Sequence, residues 1–312
     1  MAQGKELKRR IASIGSTAKI TKAMEMIAAS KMQKAQDKAK KTIPYTTGIY
    51  NIVSKFANIK DFKSVYLRRS ESVKNVVIVV IGSNRGFVGG LIANMTSAVY
   101  KFTQNLKRQN PELGITGISI HKTALKIVTN AGLKSDFHFQ EEWENLTTTD
   151  LSAVYSAIIE SFKDGKYDEV YLAYSHFINT MTQKPLIKRI LPISLTSLVE
   201  EAEASGTLED TEDVEKVNKF SQKEEFSNPH HNPFLFEPSM SQVLNVLLPE
   251  YFQTQIYSAI LEGFASEHSA RMISMKNATD NAIDLQKVLT IKYNRQRQAA
   301  ITQELIEVIS GS

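Results

Sequence analysis

A glycine-rich run, Gly82-Ser83-Asn84-Arg85-Gly86-Phe87-Val88-Gly89-Gly90, follows six consecutive β-branched residues, Val76 to Ile81. A helical stretch begins at Leu91. Glycines between a buried strand and a helix are the setting in which backbone amides cradle phosphate. A triphosphate loop also needs Gly-Lys-Ser/Thr to reach the outer phosphates and their magnesium, and no lysine follows these glycines. A dinucleotide turn needs G-x-G-x-x-G. Gly86 and Gly89 supply its second half, but Asn84 stands where its first glycine belongs. The run therefore reads as a structural turn, with phosphate binding as the competing reading. His230 and His231 are adjacent in a Pro-flanked segment; neighbours on an extended chain point apart and chelate poorly. His268 sits beside Glu267 in a helical stretch, as a packed or solvent-facing residue. Cysteine is absent, which excludes disulfides, thiolate zinc sites and thiol nucleophiles. No cofactor or metal is implied, and nothing in these patterns makes the chain an enzyme. One block remains, Asn294-Arg295-Gln296-Arg297-Gln298. Arginine and glutamine at consecutive helical positions point around the whole circumference, so they form either a solvated helix end or forked donors to a surround of carboxylates.

Two long helices must position these groups. From Ser239 to Ser312 apolar or small residues recur in steps of three and four: Leu261, Phe264, Met272, Met275, Thr279, Ala282, Leu289, Tyr293, Ala300. That is a narrow coiled-coil seam. A helix of ~60 residues runs ~90 Å, longer than a domain needs, so part of it projects and requires a partner. Residues 4–41 supply one, through Leu7, Ile11, Ile14, Ala18, Thr21, Ala28, Met32, Ala35 and Ala39. Glu25 interrupts that row, and Ile20, Met24 and Ile27 form a parallel one. Pro44 and Pro249 are expected to kink or end their helices. Chain ends pair only if the middle returns the chain. Strands at 76–81, 115–120, 137–139, 169–174 and 187–193 alternate with helices at 91–106, 122–131 and 150–162. This predicts an α/β fold: a long antiparallel coiled coil plus a central Rossmann-like body with a mostly parallel sheet. The expected divisions are 1–59 and 239–312 for the coil, 73–195 for the body, and 200–233 for an exposed acidic insertion. Two ordinary core helices of an all-α domain are the plainer alternative.

The net charge of +5 hides an asymmetry. Lys5 to Lys41 hold eleven Lys/Arg against three acidic residues, and Glu200 to Asn228 hold ten acidic residues against three lysines. A basic helix suits nucleic acid, a membrane surface or an acidic protein, and equally a solvated coiled-coil face; it has no interleaved aromatics for base stacking. No run of eighteen apolar residues is present to cross a membrane. The start lacks the apolar core of a signal peptide, and a bacterial cytoplasmic product is expected.

The chain resembles the gamma subunit of the rotary F-type ATP synthase. The family's C-terminal signature is met from Ile301-Thr302-Gln303-Glu304 to Gly311, with Ser312 replacing an alanine. Ser269-Ala270-Arg271-Met272, Met275 to Ala282, Tyr293 to Ala299, Arg9 to Ile14 and Lys19 to Lys31 also match. Ser83 to Gly90 resembles the family's Ser-Asp-Arg/Lys-Gly-Leu-Cys-Gly-Gly, with Asn84 and Val88 departing from it. The resemblance implies a rotor inside a ring of three alpha and three beta subunits, its body against the epsilon subunit and the c ring. It implies a peripheral place on the cytoplasmic face of the bacterial plasma membrane. Met24 and Arg271 would lie near the acidic loop of beta; Arg297, Gln298 and Thr302 would meet a catching loop higher up. With Met24 and Arg271 at one level, Leu7 would face Leu289. A nucleotide-dependent α/β enzyme and a basic nucleic-acid-binding coil are the other two classes.

Overall fold

A computed structural model describes residues 2–54, 64–68, 70, 72–140, 149–193, 237 and 239–311. The acidic insertion and the His230-His231 pair lie outside these residues. The elements are α1 (Ala2–Ser54), β1 (Asn75–Ile81), α2 (Leu91–Gln109), β2 (Gly114–Ile120), α3 (Lys122–Asn130), β3 (Lys134–Phe139), α4 (Ser152–Lys163), β4 (Glu169–Phe177), β5 (Gln183–Leu191) and α5 (Met240–Ser310).

The five strands form one sheet in the order β3-β2-β1-β4-β5. All pair in parallel except β5, which runs antiparallel to β4. Val76 to Ile81 are buried throughout β1, as a strand covered on both faces requires. Side chains alternate across the pleat. Ile78 and Val80 meet α2 and α3 through Met95, Val99, Ile127 and Val128. Val77, Val79 and Ile81 meet α4 and α5 through Ile158, Phe162, Phe252, Ile256 and Ile260. The third strand is longer than its apolar residues suggested, because β2 templates it back to Lys134. The last strand is displaced toward the N-terminus, to Gln183–Leu191, because its start is set by the β4 hairpin.

Both prolines lie inside unbroken helices. An interior proline costs about 3 kcal/mol or more. Ile49 beyond Pro44, and Leu248, Tyr251 and Phe252 around Pro249, are all buried in the body's core, and that burial outweighs the loss.

Helices α1 and α5 pair antiparallel. The hydroxyls of Thr21 and Thr279 lie 2.7 Å apart across the seam. Stepping by matching threes and fours puts Ala18 opposite Ala282, Ile11 opposite Leu289 and Leu7 opposite Tyr293. Small residues let the axes approach, and Ala18, Ala28 and Ala35 are buried. Several expectations about the seam are corrected here. Met24 lies level with Lys276, about five residues from Arg271, and Leu7 does not face Leu289. Glu25 does not interrupt the seam: its side chain is 16% exposed and the Lys22 ammonium reaches it at 3.0 Å. Ile20 and Ile27, read as a parallel row, face outward. On α5 the half-buried seam ends at Gln296, and the described side chains beyond it are exposed.

Candidate functional site

In an open α/β sheet the ligand crevice lies beyond the carboxyl ends of the strands, where the strand order reverses. Here that point is between β1 and β4. Helix α5 fills it. Gly263 brings the helix so close to β1 that an added Cβ would stand 3.3 Å from a methyl of Ile81. The Ser266 hydroxyl donates to the Ser175 carbonyl of β4 at 2.7 Å.

The glycine-rich loop is bound to the same helix. The Glu267 carboxylate accepts from the backbone amides of Asn84 and Arg85, the groups that would otherwise face a phosphate. Arg271, one turn on, donates from Nη2 to Glu267 Oε1 at 2.6 Å and to the Arg85 carbonyl at 3.2 Å. Its Nε donates to the Gly86 carbonyl at 3.3 Å. Burial pushes the Glu267 carboxyl above the usual carboxylate range, and the guanidinium and the amides oppose that rise. The Arg271 fork at this distance favours the charged carboxylate. Gly82 is required by packing, since a Cβ there would stand 2.4 Å from the Ala124 nitrogen of α3. The loop tip is left outside, with Phe87 70% exposed at φ 61°.

The opposite side of α5 is held by the β4–β5 hairpin. Ser269 donates to the Thr180 carbonyl at 2.6 Å, and Gln183 donates to Ser269 at 3.3 Å. His176 Nδ1 lies 2.6 Å from Glu262 Oε2, and that carboxylate raises the imidazole pKa.

The five sequence-derived contact residues are not brought together. Arg271 is 7% exposed and its donors point into the chain. Met24 is half-buried on α1. Arg297, Gln298 and Thr302 are exposed on the projecting end of α5, where the Thr302 hydroxyl donates to the Gln298 carbonyl at 2.9 Å. Beside them Ile301, Leu305, Ile306, Val308 and Ile309 are exposed. Sequence reading passed over Glu267, although its spacing of four from Arg271 is the helical pairing signal. Among the described residues no group of three or more His, Asp or Glu is placed to hold a metal ion, and no helix is long and apolar enough to cross a membrane.

The chain is thus a coil of its two terminal helices mounted on a body whose ligand crevice one of those helices fills. A family model described as ATP synthase matches residues 3–312. The ATP synthase gamma chain of Roseiflexus castenholzii is 34% identical, over 100% of this chain and 98% of that protein. The gamma chain of Histophilus somni is 36% identical, over 100% and 99%. This chain belongs to the ATP synthase gamma-chain family. In fold it is similar to a chain of the rotor of the Euglena gracilis mitochondrial ATP synthase, with TM-score 0.59, 18% identity, and 96% and 99% of the two chains covered. A chain of the Tetrahymena thermophila central stalk and c ring gives TM-score 0.54 at 22% identity, over 83% and 99%.

Proposed function

We propose that the chain is the central rotor shaft of an F-type ATP synthase, coupling rotation of a proton-driven c ring to synthesis or hydrolysis of ATP at the beta subunits. The observation that carries this is the upper end of α5. A lone helix of a dozen or so residues is marginal in water, and this one exposes five large apolar side chains beside Arg297 and Gln298. Such a segment suits a sleeve of other subunits. Residues 1–59 and 239–312 form the shaft and 73–195 the body. The shaft turns inside three alpha and three beta subunits, and the body meets the epsilon subunit and the c ring. The assembly sits peripherally on the cytoplasmic face of a bacterial plasma membrane.

Catalysis belongs to beta in this reading, and the chain holds no cofactor. Rotation changes which face of an asymmetric shaft each beta site meets, and differential contact shifts the conformations of those sites. Met24 serves the contact with the acidic loop of beta, and the basic face of α1 complements that loop. Arg297, Gln298 and Thr302 serve the upper catch. Arg271 enters through the loop whose carbonyls it holds. The nucleotide-enzyme reading is disfavoured because the loop amides at Asn84 and Arg85 already have an acceptor in Glu267.

The test is reconstitution with alpha and beta. The purified chain should hydrolyse no ATP, and with those subunits it should support rapid multisite turnover. Turnover by the chain alone, abolished by changes in the Gly82 loop, would refute the rotor.

A further inference from the structure

Apolar packing is non-directional and lets a helix roll on the surface that buries it. Hydrogen bonds weaken steeply when their angles change, so they resist rolling. The body therefore grips α5 in two ways along its length. From Leu248 to Ile260 the contact is mainly apolar, with one hydrogen bond from the flexible Lys188 side chain to Gln255. From Glu262 to Arg271, where the helix leaves the body, it is polar and two-sided. One jaw is the hairpin, through His176–Glu262, Ser175–Ser266 and Thr180–Ser269. The other is the loop after β1, through Glu267 and Arg271. The loop jaw uses both kinds of backbone group at once: a carboxylate takes its amides and a guanidinium takes its carbonyls. The loop is itself anchored, since the Ser83 amide donates to the Thr123 hydroxyl of α3 at 2.6 Å and the Thr123 amide donates to the Ser83 carbonyl at 3.0 Å. Among the described residues, α1 is the element that packs beside the helix beyond Thr279.

We propose that Glu267 and Arg271 are positioning residues that clamp the loop to α5 and set the rotational angle of the shaft relative to the body. This rests on the rotor reading. Torque entering at the body would otherwise be lost as roll of α5 in its apolar seat, and the clamp is the last directional contact before the free shaft.

The experiment uses the assembled complex in sealed vesicles and reads protons pumped per ATP hydrolysed. Arg271→Lys keeps the charge and loses the fork. Glu267→Gln keeps an acceptor and loses the charge. Each should lower the ratio. A third chain adds Gly89→Cys and Ser274→Cys to Arg271→Lys. An added Cβ at Gly89 stands 3.2 Å from the Ser274 hydroxyl, within reach of a bridge, and because φ +55° at Gly89 strains any side chain, a chain carrying only the two cysteines serves as the reference for the ratio. The sequence has no other cysteine to interfere. Oxidation should restore the ratio and a reductant should lower it again, a reversal that a merely destabilised fold would not show. A wild-type ratio in both single variants overturns the clamp, and so does a lowered ratio that oxidation leaves unrepaired. If wild-type complexes show neither pumping nor ATP-driven rotation, the rotor reading fails instead.

Discussion

Replacing Thr21 and Thr279 by cysteine should staple the shaft in its native register. Their hydroxyl oxygens lie 2.7 Å apart, so two sulfurs reach bonding distance with little movement. The bridged residues are 258 apart in sequence. For a loop of that size the chain-entropy relation gives about 5.5 kcal/mol of stabilisation. The oxidised chain should therefore gain about 5.5 kcal/mol over the reduced one, since both lack the threonine hydrogen bond, read from urea midpoints with and without reductant. The control is Leu7→Cys with Leu289→Cys. In the structure Leu289 is four residues from the position facing Leu7, an axial offset of about 6 Å. Added to the spacing between helices, that exceeds the roughly 7 Å limit between bridged Cα atoms. Closure of the Leu7–Leu289 pair, with the threonine-derived pair left open, would refute the register.

Other outcomes follow from single sites. Burial pushes the His121 pKa from 6.5 to about 4. Its neutral form is the folded one, so stability is complete above pH 6.5 and falls as pH drops toward 4, by about 3 kcal/mol in all; His121→Asn should flatten that slope in thermal melts. His176 is raised by Glu262, so its contribution is complete below pH 6.5 and fades as pH rises through the folded value; His176→Gln should remove that loss and leave the acid limb unchanged. Gly82→Ala forces a Cβ against the α3 backbone and should lower stability by about 1–3 kcal/mol without creating or removing nucleotide affinity, measured by titration with labelled ATP. Arg297→Ala with Gln298→Ala touches only exposed side chains, so melting should hold while ATPase of the assembled complex changes, as expected from losing about 1.5–3 kcal/mol of charged hydrogen bonding.

The body was legible because its strands carry their signal locally. Six β-branched residues from Val76 to Ile81 suit only a strand covered on both faces, and the lack of a lysine after the glycines is enough to argue against a phosphate loop. The coil was legible as a pair of seams but not as a register. Matched motifs fix that Met24 and Arg271 belong to one family pattern; they do not fix their axial levels, which depend on the Thr21–Thr279 layer. Glu25 was misplaced because a charge at a seam position looks like an interruption until Lys22 is seen beside it. Pro44 and Pro249 act locally, and the burial that overrides them comes from residues far along the chain. Arg271 was singled out as a partner contact, and its direction was not readable. Whether an arginine faces a partner or its own loop depends on where Arg85 and Gly86 are carried by the strand before them.

The pairing of the two chain ends also sets an order of events during synthesis. Helix α1 is made first and its partner α5 last, with the whole body between them. Until α5 appears, the seam from Leu7 to Thr42 has nothing to pack against, and Ile20, Met26 and Ile27 face outward even in the finished coil. A half-made shaft would collect on other nascent chains if its apolar stripe were all it showed. Eleven lysines and arginines between Lys5 and Lys41 make such helices repel one another. The same positive charge thus keeps α1 single while it waits for α5.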